Sequence, residues 1–267
     1  MGAVVIDNSR AFRAEPDVPL VVHAFNPAQI RNRPRGIISS PTCSTLVMLD
    51  AIGALHSGWG LTSLIVTTFE SASAAGSRGR DRLYDEIDAV AGDRSLGRHI
   101  GDVRRVINQR LPEESPFPAP LVLNVVPWVG TEAGAGWNTG EMSVRDEIRK
   151  VLVAPALRVA ATCVRVPVVS AHAMSVHAEF ENRISLDDAR TALLQAPGVV
   201  VLDDVEHDEW PTPVDVTGSD PTFVGRLRKT PDYPNGVDLF ICGDNLRKGA
   251  ATNTAQIAEE LAAELGA

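Results

Sequence analysis

Cys43, in the stretch ISSPTCSTLVML (residues 38–49), is the first side chain whose position suggests chemistry. It lies between a Ser-Pro-Thr turn and an apolar run. The spacing of Leu46, Leu49, Ile52 and Leu55 predicts a helix, with Thr42 or Ser44 as its cap. A thiol in the first turn of such a helix has its thiolate stabilised by unpaired backbone N–H groups and the helix dipole. Free cysteine is also among the most buried residue types, and inert when buried, so nucleophile and packed thiol both stay open at this level. Glu147 and Lys150, three apart in EIRK, share one helix face and by themselves read as a surface ion pair. The glycines of TEAGAGWNTG (Gly134, Gly136, Gly140) fit neither G-x-G-x-x-G nor a P-loop, and read as a surface loop. Cys43, Cys163 and Cys242 are too few and too scattered for a disulfide framework or a zinc cage, so no metal is expected.

The elements that must position these groups mingle strand and helix, which means α/β or α+β. GAVVI opens as an apolar strand (residues 2–6) stopped by the turn at Asp7-Asn8-Ser9. A Pro-rich connection and a short strand at 36–39 lead to the Cys43 helix. LTSLIVTTFE (61–70) is a β-branched strand followed by the small-residue loop SASAAGSRG. Residues 80–110 read as charged helix, and FPAPLVLNVVPWVG as holding another strand. Ser143 is expected to cap the EIRK helix, with Asp146 completing a capping box. ATCVRVPVVSAH (161–172) is a strand running into a loop that ends in histidine. In MSVHAEF, Met174, Val176, Ala178 and Phe180 face one side and Ser175, His177 and Glu179 the other. VVVLDD, TFVGRLRK and VDLFICGDN supply further strands. The last segment is a helix with Ala251, Ala255, Ala258, Leu261 and Leu265 on one stripe.

The 267 residues suffice for one large or two modest domains with a real core. A net charge of −9 argues against a nucleic-acid or anionic-membrane surface. The sequence contains no membrane-span-length apolar run and opens with no signal peptide, which points to the cytoplasm.

Several segments then stand in one order: GAVVIDNSRAFR, PTCST, LNVVP, EIRKVL, CVRVPV followed by His172, FVGRLRK, and GDNLRKGAATNTAQIAE. Together they resemble the aspartate-semialdehyde dehydrogenases across essentially the whole chain. The resemblance implies a Rossmann-like NADP-binding unit and a mixed-sheet domain that dimerises and carries the catalytic groups. Residues 1–42, joined by the helix at 246–267, would be the remnant of the first, and 43–245 the second. It implies reversible, NADP-dependent reductive dephosphorylation of L-4-aspartyl phosphate to L-aspartate-4-semialdehyde, towards lysine, threonine and methionine. Cys43 is then the nucleophile and His172 the acid/base. Arg165 is the carboxylate-binding arginine and Glu147 the partner of the substrate ammonium. Lys150 and Arg13 belong to the phosphate site, and Ser73, Ala74 and Asn245 are the cofactor contacts. The remaining histidines match no catalytic position.

The chain also departs from the family pattern. Relatives carry a G-x-x-G-x-x-G turn before the IDNS strand, where the pyrophosphate meets a helix N-terminus. This sequence starts after it, so binding of NADP is expected to be weak or absent, and the chain reads as a fragment or a short paralogue. Thr42 stands for the family's Asn, Glu70 for its Gln and Ala171 for its Gly. An ionised Glu70 accepts but cannot donate a hydrogen bond, and disfavours a nearby thiolate; it could instead serve as a base that activates water. That leaves two alternatives, a cofactor-free Cys–His hydrolase or acyl transferase and a non-catalytic dimerising paralogue.

Overall fold

The computed structural model describes residues 3–266. Two sheets organise the chain. The smaller pairs β1 (Val5–Asp7) with β2 (Ile37–Ser39) in parallel. The expected opening strand is shifted towards Asp7, and Gly2 lies outside the described residues. The larger sheet has six strands: β3 (Leu61–Glu70), β4 (Arg158–Arg165), β5 (His172–Phe180), β6 (Val199–Val201), β7 (Thr222–Arg228) and β8 (Gly236–Gly243). Their spatial order is β4-β3-β5-β8-β7-β6. β4 runs parallel to β3, and β5 antiparallel to it. This register does the positioning. Glu70 and Arg165 are paired positions at the ends of β3 and β4, and β5 starts with His172 where β3 finishes. One end of the sheet therefore collects all three.

Over this sheet lies α1 (Cys43–Trp59), with Leu46, Met48, Leu49, Ile52 and Leu55 fully buried. It touches β3, β5, β7 and β8 below, and α4 (Thr139–Val151) and α5 (Leu186–Gln195) to its sides. A helix apolar on nearly every face fits only such a central slot, and each buried Leu or Ile contributes about 1.5–3 kcal/mol. Gly60, at φ +71, ends it in the left-handed conformation that suits glycine. The alternation in β5 is as the sequence indicates, with Met174, Val176, Ala178 and Phe180 under α1's layer. On the opposite face Ile65, Ala160, Thr162 and Ser175 are exposed.

Elsewhere tertiary context overrides the local reading. Residues 80–110 form two helices, α2 (Gly76–Val90) and α3 (Asp102–Arg110), separated by a turn with Gly92 at φ +81 and Gly101 at φ +71. The loop SASAAGSRG is a 3-10 turn, Ala72–Ala75, running into α2. FPAPLVLNVVPWVG forms no strand, because its prolines remove ladder donors; it makes only a bridge between Val126 and Arg165. The cap of α4 is Asn138, paired with Glu141 in a capping box, and Ser143 and Asp146 lie inside the helix. The strand of ATCVRVPVVSAH starts earlier than expected, at Arg158, and ends at Arg165; the loop follows it as expected, and His172 opens the next strand. After the four-residue α6 (Pro213–Val216), a π-helix (Arg247–Thr252) leads into α7 (Asn253–Leu265). The buried stripe of α7 is Asn253, Ile257 and Leu261; Ala251, Ala255, Ala258 and Leu265 are exposed. Ile257 and Leu261 pack with Val21, Ile30 and Ile38 in a cluster separate from the main core.

Candidate active site

Cys43 is the first residue of α1, with Thr42 in extended conformation before it. Its Sγ lies 3.2 Å from Nε2 of His172, 129 positions later in the chain. The proton on that ring can be located from its other side. The Ser71 backbone N–H donates to Nδ1 at 3.1 Å, so Nδ1 is an acceptor and the neutral ring carries its hydrogen on Nε2, facing the sulfur. The arrangement extends one shell out: Asn245 Oδ1 accepts from Ser71 Oγ, Ser73 Oγ and the Ala171 backbone N–H. Ala171, which precedes His172, is fully buried at φ +69, where a Cβ is strained.

Burial pushes His172 down to about 4. Burial, then the carboxylate of Glu70, pushes the Cys43 thiol up to about 12, against the pull of Arg165 and Ser44. The pair therefore rests as a neutral thiol beside a neutral imidazole. Cys163 and Cys242 are fully buried, and burial raises both thiols.

Glu70 is held by Ser44 Oγ at 2.8 Å and Thr68 Oγ1 at 3.3 Å, with Arg165 Nη1 3.6 Å away. Arg165 donates to the Ser71 carbonyl at 2.7 Å and lies over the Phe117 ring. Cys43, Glu70 and Arg165 line one cleft of about 360 Å³, with Ala74 and Ala75 on its wall. Gly249 of the π-helix backs the nucleophile closely, since a Cβ there would come 2.7 Å from Cys43 Cβ.

Glu147, Lys150 and Arg13 do not line that cleft; they line an adjoining one. Glu147 is buried, its Oε2 accepting from both the backbone N–H and Oγ1 of Thr42 at 2.8 Å. Its Oε1 lies 3.4 Å from Arg13. Burial raises its pKa, against Arg13 and Thr42. Arg13 also donates to the carbonyls of Ser40 and Asn8, and Lys150 to those of Arg13 and Glu15. Of the expected cofactor contacts, Ala74 is exposed at the cleft, while Ser73 and Asn245 are buried and bonded to each other behind the loop. Sequence reasoning missed Ser71, Arg10, Ser143 as a lining residue, and Gly249. Ser71 follows Glu70 directly and Arg10 belongs to the DNSRAFR turn, but nothing in their spacing signalled a role.

A thiol at a helix start, hydrogen-bonded to an imidazole and facing a buried arginine, defines a cysteine–histidine site on a mixed α/β fold. A semialdehyde dehydrogenase dimerisation-domain model matches residues 52–248. The aspartate-semialdehyde dehydrogenase of Streptomyces akiyoshiensis is 42% identical over 266 residues, 99% of this chain and 75% of that protein. The crystal structure of aspartate semialdehyde dehydrogenase II complexed with ASA from Vibrio cholerae is 34% identical, with TM-score 0.87 over 98% of this chain and 73% of that one. At 22% identity and TM-score 0.69, the Candida albicans enzyme solved with NADP shares the fold, over 98% of this chain and 71% of that one. The chain belongs to the aspartate-semialdehyde dehydrogenase family, oxidoreductases of amino-acid biosynthesis. Among the described residues no helix is long and apolar enough to cross a membrane.

Proposed function

We propose that this chain acts on L-4-aspartyl phosphate and L-aspartate-4-semialdehyde as a cytoplasmic, homodimeric, NADP-dependent enzyme. The observation that carries the reading is the 3.2 Å contact of Cys43 Sγ with His172 Nε2 at the start of α1. In the reductive direction Cys43 attacks the acyl carbon, the carbon–sulfur bond forms and the bond to the phosphate oxygen breaks. The thiol proton leaves with the phosphate, which departs as the hydrogen phosphate dianion. Charge therefore balances although the resting thiol is raised and His172 is not an imidazolium. The Nε2–H of His172 serves as hydrogen-bond donor, first to sulfur and then to the oxygen that develops charge on the acyl carbon.

Arg165, anchored through Ser71 and Glu70, offers its remaining donors to the substrate carboxylate. Glu70 is the counter-charge that holds Arg165; its contacts with Ser44 and Thr68 favour that over activating water. Glu147 fixes Thr42 and hence the first turn carrying Cys43, and its second oxygen faces the side where the ammonium would enter. Arg13 and Lys150 frame the phosphate end. NADP, when bound, supplies or accepts the hydride. Small side chains at Ala74 and Ala75 leave room beside Cys43, which fits a planar ring, and Ser73 and Asn245 would brace that loop from behind. The exposed, uncharged sheet face of Ile65, Ala160, Thr162 and Ser175 suits pairing with a second copy.

The test is phosphate-dependent reduction of NADP⁺ with aspartate semialdehyde. C43S is expected to lose about 10³-fold or more in rate, the cost of removing a nucleophile. Turnover that survives C43S would overturn the reading.

A further inference from the structure

Among the cations around the two clefts, Arg10 differs from the rest in having no partner among the described residues. Arg165 faces Glu70, and Arg13 faces Glu147 while donating to two carbonyls. Lys150 is tethered to two carbonyls. Arg10 is exposed and makes no hydrogen bond or ion pair with a described side chain. It nonetheless lines both clefts, and among the described residues the only other one to do so is Ser143, on α4. The turn that carries Arg10 is pinned at both ends. Asp7 Oδ1 accepts from the backbone N–H and Oγ of Ser9, and Ser9 Oγ accepts from the Ala11 N–H. Beyond it, Arg13 is bound to Ser40. A rigid turn thus presents one uncommitted guanidinium at the passage between the nucleophile's cleft and the cleft of Glu147 and Lys150.

Resting on the reading above, we infer that Arg10 and Ser143 are further groups, beside Arg13 and Lys150, that contact the phosphate of the acyl phosphate, and inorganic phosphate in the reverse reaction. Arg13 and Lys150 also hold the turn and the helix between which that anion sits. The chemistry favours it. A guanidinium binds phosphate oxygens through paired donors, and a hydroxyl adds a third. The net charge of Arg13 with Glu147 is zero, so that pair attracts a dianion less than Arg10 does.

The probe is inorganic phosphate, read by the rate at which iodoacetamide alkylates Cys43 in the intact chain at pH 9, with mass-spectrometric assignment of the site. Each variant is its own reference, as the ratio of rates without and with phosphate. In the wild type, phosphate at ten times its Kd is expected to slow alkylation about tenfold. R10A should reduce that ratio to near unity and S143A should lower it partly, whereas R10K retains part of it through its charge. Unfolding of R10A would reveal itself as labelling of Cys163 and Cys242, and R10Q then takes its place. Wild-type protection that persists in R10A, or no protection in the wild type, would overturn the role of Arg10 and leave the enzyme reading standing. Alkylation of Cys43 no faster than that of Cys163 would instead sink the nucleophile on which both rest.

Discussion

Replacing Glu147 separates a residue that builds the site from one that only greets substrate. In Glu147→Ala the backbone N–H and hydroxyl of Thr42 each lose an acceptor at 2.8 Å, and Arg13 loses its carboxylate at 3.4 Å. Hydrogen bonds to a charged group are worth about 1.5–3 kcal/mol each, and breaking a buried ion pair costs about 3–5 kcal/mol. These terms overlap, because the same carboxylate supplies both, so E147A is expected to lose about 3–5 kcal/mol. Glu147→Gln keeps an oxygen for Thr42 and removes a charge whose burial already raises its pKa. It should cost about 2 kcal/mol, less than E147A, because Thr42 keeps its acceptor while Arg13 loses its counter-charge and retains two carbonyls. Urea unfolding, with midpoint and slope fitted together, would resolve the two, and E147A should melt about 10 °C below the wild type. The alternative, a carboxylate waiting for a substrate ammonium, predicts a near-silent alanine. E147A within about 0.5 kcal/mol of the wild type, the range of an ordinary surface change, would refute the clamp.

The raised Cys43 thiol implies that its alkylation rate climbs about tenfold per pH unit from pH 7 to 9 with no plateau. E70Q should accelerate it at fixed pH, because the Glu70 charge helps hold the thiol up; a plateau near pH 7 would contradict both. Val153 is 79% exposed at φ +53, a conformation that costs a β-branched residue about 1–2 kcal/mol. V153G should therefore gain about 1 kcal/mol net of glycine's entropy, and a lower unfolding midpoint would count against the strain. Asp50, buried with Lys248 at 2.5 Å, is raised from 3.8 to about 6 by burial. The folded chain keeps a proton there that the unfolded chain releases, so this contribution is full below pH 4 and is lost as pH rises through 6. It amounts to about 3 kcal/mol. D50N should flatten that part of the stability–pH curve, and an unchanged slope would show that the pair does not titrate there.

Much of this protein is legible without coordinates. The periodicity of Leu46, Leu49, Ile52 and Leu55 specifies a helix with a buried face, and the alternation from Met174 to Phe180 a strand with one face inward. Both follow from local geometry, 3.6 residues per turn and two per pleat. The order of short motifs pointed to the family, because several distant segments are constrained at once. What the chain could not reveal is whatever depends on which segments meet. Asn138 caps α4 in place of Ser143 because the turn before it folds back, Glu132 bridging Asn138 and the N–H groups of Thr139 and Gly140 donating to the carbonyls of Thr131 and Val129, and α7 turns Ile257 inward because Val21, Ile30 and Ile38 wait there. The protonation of the active pair is of the same kind. Cys43 and His172 are ordinary titrating groups in sequence. Burial and the Ser71 N–H make them a neutral thiol and an Nε2–H imidazole. The carboxylate of Glu147 likewise looked like half of a surface pair with Lys150, until the fold turned it onto Thr42. Periodicity is written in neighbouring residues, whereas solvation, hydrogen-bond saturation and pKa belong to the space around an atom, and that space is enclosed by residues more than a hundred positions away.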